Sequence, residues 1–150
     1  MRILNTQSVL AAIIGAVAFF ILAWLVFGFL MIDFYLSNII PYDGLVKDPP
    51  VIWSLFIHGL SLTALLTFVF EGMGIRTFSK GFLASLVVGF LITLYFYSFN
   101  YASLNLYTGT RIVVDLVVNS LFSAVVGGIT AQTLGFLYSR KKTSVPVTTV

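Results

Sequence analysis

The chain contains no cysteine, which excludes disulfides, thiolate nucleophiles, iron–sulfur clusters and Cys-ligated zinc. Charge is almost as scarce. Eight Lys and Arg and five Asp and Glu make up 9% of 150 residues, where a globular domain carries roughly 25%. That is too little to clothe a water-facing surface, so a soluble enzyme, a nucleic-acid binder and a disordered chain are excluded together. Histidine occurs once, so a bis-His haem is impossible, and a zinc site would have to be completed by carboxylates and water. No metal and no cofactor is expected.

What is present is apolar. Hydrophobic residues make up 59% of the chain and the mean hydropathy is +1.07, the composition of an integral membrane protein whose first partner is the lipid bilayer. A hydrocarbon layer about 30 Å thick is crossed by about 20 apolar residues in a helix, and residues 9–32, 51–70, 81–99 and 112–138 meet that length. The first run is longer than the apolar region of a signal peptide and reads as an uncleaved helix. In lipid each span must satisfy its own backbone, which favours helices over strands. The expected fold is therefore all-α, an up-down-up-down four-helix bundle over residues 1–142 with a disordered tail at 143–150.

Punctuation falls between the runs: Pro41, Gly44, Pro49 and Pro50 in the first loop, Gly72 and Gly74 in the second, Tyr107, Thr108 and Gly109 in the third. Short loops rich in Arg and Lys stay cytoplasmic. Arg2, Arg76, Lys80, Arg140, Lys141 and Lys142 fall on one side, Lys47 and Arg111 on the other, so both termini are expected in the cytoplasm of a cell-membrane protein. The net charge of +3 thus reports orientation, not nucleic acid. Tyr35, Ser37, Asn38, Tyr42 and Gly44 loosely echo Tyr101, Ser103, Asn105, Tyr107 and Gly109. A two-hairpin duplication predicts that echo, and so does the ordinary composition of interfacial loops.

Ionisable and polar groups inside a span are functional candidates by default. His58 and Asn119 each lie seven residues into their spans, Asp115 one turn shallower, and Tyr97 and Asn100 close the third span. His58, Tyr97, Asn100, Asp115 and Asn119 are therefore expected to share an outer layer and to floor a polar pocket walled by the aromatic residues of that half. Ser54, His58 and Ser61 follow the spacing of one helix face. A relay between His58 and Asp115 competes with plain hydrogen bonding of His58, and an Arg111–Asp115 ion pair at spacing i, i+4 would neutralise the carboxylate. On the far side of the last span, Ser120, Ala124, Gly127, Gly128, Ala131 and Gly135 form a small-residue face. Such a face packs closely on another helix, either in a second copy or in the same bundle, where Ser85 and Gly89 are the expected partners.

No Gly-rich phosphate loop and no Gly-x-Ser-x-Gly elbow is present, and enzyme activity is not expected. The segment Asn100, Tyr101, Ala102, Ser103, Leu104, then Tyr107 and the membrane Asp115, resembles a pattern in a family of small bacterial four-helix membrane proteins of unknown function. The resemblance implies four spans in a bacterial inner membrane. That family's acidic residues in the first and third spans are Ala23 and Tyr97 here. Two functions fit these readings: an interaction or accessory subunit, as a homo-oligomer or within a larger membrane complex, or a small-solute or lipid carrier using the polar pocket.

Overall fold

The computed structural model describes residues 5–45, 47 and 49–143. It is all-α, and four of its helices are long and apolar enough to cross a membrane. Among the described residues the extended pairing is a lone antiparallel bridge between Ile39 and Tyr107.

Helix α1 (Thr6–Leu25) starts at Asn5, whose side chain accepts from the Ser8 amide at 3.1 Å, filling one of the donors a helix start leaves open. It runs on into a π-helical turn, Val26–Leu30, closed by Met31 N–H to the Val26 carbonyl at 2.8 Å. The short α2 (Ile32–Ser37) follows. Helix α3 (Ile52–Met73) begins just after Pro49 and Pro50 and ends at Gly74. There φ is +66°, the left-handed value a glycine adopts freely, and Ile75 N–H returns to the Phe70 carbonyl. Helix α4 (Phe78–Ser103) lacks a cap of its own; Gln132 on α5 accepts from the Phe78 amide at 3.1 Å. Helix α5 (Gly109–Thr143) is capped by Thr108, whose hydroxyl accepts from the Arg111 amide at 3.2 Å.

These boundaries correct the expected loops. Asn100 to Ser103 belong to α4, Gly109 to Arg111 to α5, and the basic stretch from Ser139 continues α5 to Thr143. The stretch from Asp33 to Ser37 is helical rather than loop. Of the expected disordered tail, residues 144–150 lie outside the described residues.

Helix α5 is the centre of the molecule. Its small residues take α4 at close range: Gly81 lies against Ala131 and Gly127, Ser85 against Gly127, and Gly89 against Ser123. A methyl group on Gly81 would stand 2.7 Å from the Gly127 carbonyl oxygen. Phe78 lies over Gly128, and the Arg76 carbonyl against Gly135. The face formed by Ser120, Ala124, Gly127, Gly128, Ala131 and Gly135 is therefore filled from within the chain, buried at the first five and half-buried at Gly135. Of the two expected occupants, it is the same bundle that supplies the contact, through Ser85 and Gly89 of α4.

The opposite side of α5 meets α1 and α3. Phe19, Phe122 and Val126 form one core cluster, with the rings of Phe19 and Phe122 edge to face at 5.0 Å. Ala11, Leu66, Phe70, Ile75, Ala131 and Leu134 form the other. Between them, Thr63 donates across to the Ala12 carbonyl at 2.9 Å, and Gly15 gives Thr130 room beside it.

Candidate functional site

Asp115 stands ten residues, about 15 Å, from the middle of the apolar stretch of α5, at the edge of a hydrocarbon layer about 30 Å thick. It is buried, and its carboxylate is closed by three donors. Oδ1 accepts from the Tyr35 hydroxyl and, at 3.1 Å, from Asn119 Nδ2; Oδ2 accepts from the Tyr97 hydroxyl. Since a carboxylate offers roughly four acceptor positions, little capacity is left. The donors come from α2, α4 and α5, so this cluster ties three segments together. Burial, and after it the bond to Asp115, pushes the Tyr35 phenol well above the ordinary tyrosine range.

Arg111 does not pair with Asp115. Its guanidinium lies between the rings of Tyr35 and Tyr107, 4.7 Å from each centroid, and Nη1 donates to the Tyr35 carbonyl at 2.9 Å. Stacking between two π-faces offsets the lost solvation of a cation. The Tyr107 ring also meets Tyr97 edge to face at 5.4 Å. Above this layer the two loops are joined. Thr108 bonds Asn38 through both backbone and side chain, Ile40 N–H reaches the Leu106 carbonyl at 3.0 Å, and the Tyr42 hydroxyl reaches the Asn105 carbonyl at 3.1 Å.

Of the five expected site residues, Tyr97, Asp115 and Asn119 come together. Asn100 is buried nearby, and its carboxamide donates to the Phe96 carbonyl of its own helix at 2.7 Å. His58 is elsewhere. It is exposed, with its ring edge to face on Phe19 at 5.4 Å, and Ser54 and Ser61 are exposed beside it. The physical reason is the competing stripe of α3: Gly59, Thr63, Leu66, Thr67 and Phe70 are buried, and Thr63 satisfies its hydroxyl on α1, so the opposite side turns outward. The expected relay between His58 and Asp115 has no geometry to run on.

At the spot expected to floor a polar pocket, the carboxylate oxygens are already filled by Tyr35, Tyr97 and Asn119. An open groove of about 420 Å³ runs between α4 and α5, lined by apolar side chains such as Leu86, Phe90 and Leu121 with Ser120. Another, about 350 Å³, lies at the loops beside Tyr42 and Leu104. Neither is lined by Asp115, Tyr97 or Asn119.

A second cluster occupies the other end of α5. The chain's one glutamate, Glu71, accepts from Ser8 and from Tyr138 at 3.0 Å through Oε1, and pairs with Arg76 at 2.5 Å through Oε2. Asn5 donates to the Tyr138 hydroxyl, and Arg76 stacks on the Tyr138 ring at 4.6 Å. Arg76 also donates to the Phe70 and Ile75 carbonyls at 3.0 and 2.8 Å. The two clusters share one design: a carboxylate gripped by tyrosine, with an arginine stacked on a tyrosine ring. Tyr35, Ser8, Glu71 and Tyr138 were not among the expected site residues. The signal for Glu71 was there, as a lone acid closing a span. No protein-family model, curated protein or solved structure matches the chain, so the pattern shared with small four-helix membrane proteins brings no assigned role to these residues.

Proposed function

We propose that this is a non-enzymatic membrane protein that works through its outer surface, as an interaction or accessory subunit of a membrane assembly. In this reading it is an up-down-up-down bundle of the cell membrane with both termini in the cytoplasm. The observation that carries it is His58. It lies about 7 Å along the axis from the middle of α3, exposed, with a contact to Phe19 and no hydrogen-bond partner among the described residues. An ionisable side chain at that depth faces a bundle interior, water or a polar partner rather than acyl chains. Its own bundle interior is filled by others, so another chain is the natural cover.

The carrier reading needs Asp115 hydrated and free to bind. Two phenols and a carboxamide on that carboxylate favour a structural role instead. Extraction at native expression in mild detergent tests the proposal. The expected particle is heavier than one 16.5 kDa chain with its detergent, and it persists in Asp115→Asn. A single-chain particle would remove the interaction reading, and a solute flux into reconstituted vesicles that Asp115→Asn abolishes would put a carrier in its place.

A further inference from the structure

His58 belongs to a longer line. Ser54, His58, Ser61, Leu65, Phe68 and Gly72 recur along α3 at steps of four, three, four, three and four, and all six are exposed. At 100° per residue they fall within an arc of about 80°, centred opposite the stripe of Gly59, Thr63, Leu66, Thr67 and Phe70 that packs inward. Steps of three and four are the seam of two helices crossing at about +20°, the common geometry of membrane helix pairs. The close-packing glycines of α4 and α5 are already used inside the chain, so this seam is an uncovered helix face with polar groups at membrane depth.

The seam's chemistry selects its occupant. An imidazole carries an N–H donor, and the Ser61 hydroxyl, which donates to the Ile57 carbonyl of its own helix at 2.8 Å, keeps its acceptor capacity. The group of Ser54, His58 and Ser61 therefore offers a donor and an acceptor three residues apart, complementary to a copy of itself. A two-fold axis along the membrane normal brings identical depths together, so His58 meets the same polar layer of a second chain. The geometry points to a symmetric dimer of this chain, formed by α3 against α3 along this seam. This inference rests on the interaction reading above and names its surface and its partner.

The absence of cysteine makes the test direct, since one introduced thiol is the only thiol. Ser61→Cys and Leu65→Cys place it on the seam; Val17→Cys on α1 and Val87→Cys on α4 are equally exposed controls. On mild oxidation in native membranes, the two seam variants are expected to give a disulfide-linked dimer about tenfold more readily than the controls. Adding His58→Leu to Leu65→Cys should lower the yield by about fivefold to tenfold, the size of one membrane hydrogen bond, while His58→Gln retains most of it. Equal linking at all four positions, or none on the seam, overturns the dimer. If the seam thiols stay unlinked while the detergent particle still exceeds one chain, the partner is different and the interaction reading survives. If the particle is also a single chain, both fail.

Discussion

At the residue scale, Asp115 and Glu71 solve one problem at two places. A carboxylate at the edge of a low-dielectric layer is costly unless its oxygens are filled, and each of these draws its donors from segments far apart in the chain. Asp115→Ala leaves the Tyr35 hydroxyl and the buried Tyr97 hydroxyl without their acceptor, while Asn119 keeps the main-chain carbonyl of residue 115, whereas Tyr97→Phe removes a single donor. The expected losses are about 3 kcal/mol for the first and about 1 kcal/mol for the second, read from denaturant titrations in detergent. Equal effects would show that Asp115 is not the centre of the cluster. Tyr35 adds a pH signature. Its phenol is held above its ordinary value by burial and by Asp115, so the folded state keeps that proton more tightly than the unfolded chain. The stabilisation is complete below the ordinary tyrosine value of about 10 and declines as pH rises beyond it. A melting temperature that falls above that pH in wild type, and falls less in Tyr35→Phe, is the expected result.

At the element scale, close packing of α4 on α5 sets the tolerance of each glycine. A side chain on Gly127 runs directly into Ser85, whose hydroxyl is itself buried without a partner, whereas one on Gly109 meets nothing within 4 Å. Gly127→Ala should cost about 1–3 kcal/mol through overpacking, Gly109→Ala almost nothing, and Ser85→Gly should restore most of the loss in the double variant. Thermal unfolding of the four proteins in one detergent checks this, and absence of rescue would mean the two helices do not meet at that point. The same packing explains what was legible beforehand. Apolar run length announces a span because bilayer thickness sets it, and polar groups at matching depths on neighbouring helices announced Tyr97, Asp115 and Asn119. The rotation of a helix about its own axis is not written so plainly. In α3 two stripes compete, one with the chain's lone histidine and one with Gly59, Thr63 and Thr67. The second faces inward because Gly59 admits the Phe19 ring and the Thr63 hydroxyl reaches the Ala12 carbonyl of α1. Tyr35 enters the sequence reading only through the echo between loops, because it lies past a span, and it reaches Asp115 only after a π-helical turn ends α1 and α2 begins.

At the scale of the whole molecule, the two clusters lie at opposite ends of α5, spaced as the two faces of a bilayer would require. Asp115 and Tyr138 are 23 positions apart on one helix, about 34 Å, slightly more than a hydrocarbon layer. Helix α5, at about 52 Å, therefore projects beyond it and carries Arg140 and Lys141 outward at the Glu71 end, where Arg76 and Lys80 also lie. Basic residues next to an anionic leaflet are each held by about 1 kcal/mol, and the translocation bias acts in the same direction. With only Lys47 and Arg111 at the other end, the proposed orientation puts the Glu71 end in the cytoplasm. Single thiols again serve as reporters, because wild type has none. Gly44→Cys, at the tip of the first loop, should react with a membrane-impermeant maleimide in intact cells, and Ser79→Cys, at the start of α4, only after the membrane is opened. Labelling of Ser79→Cys in intact cells with Gly44→Cys protected would invert the protein and leave the charge argument without force; labelling of both would mean that the chain inserts in two orientations.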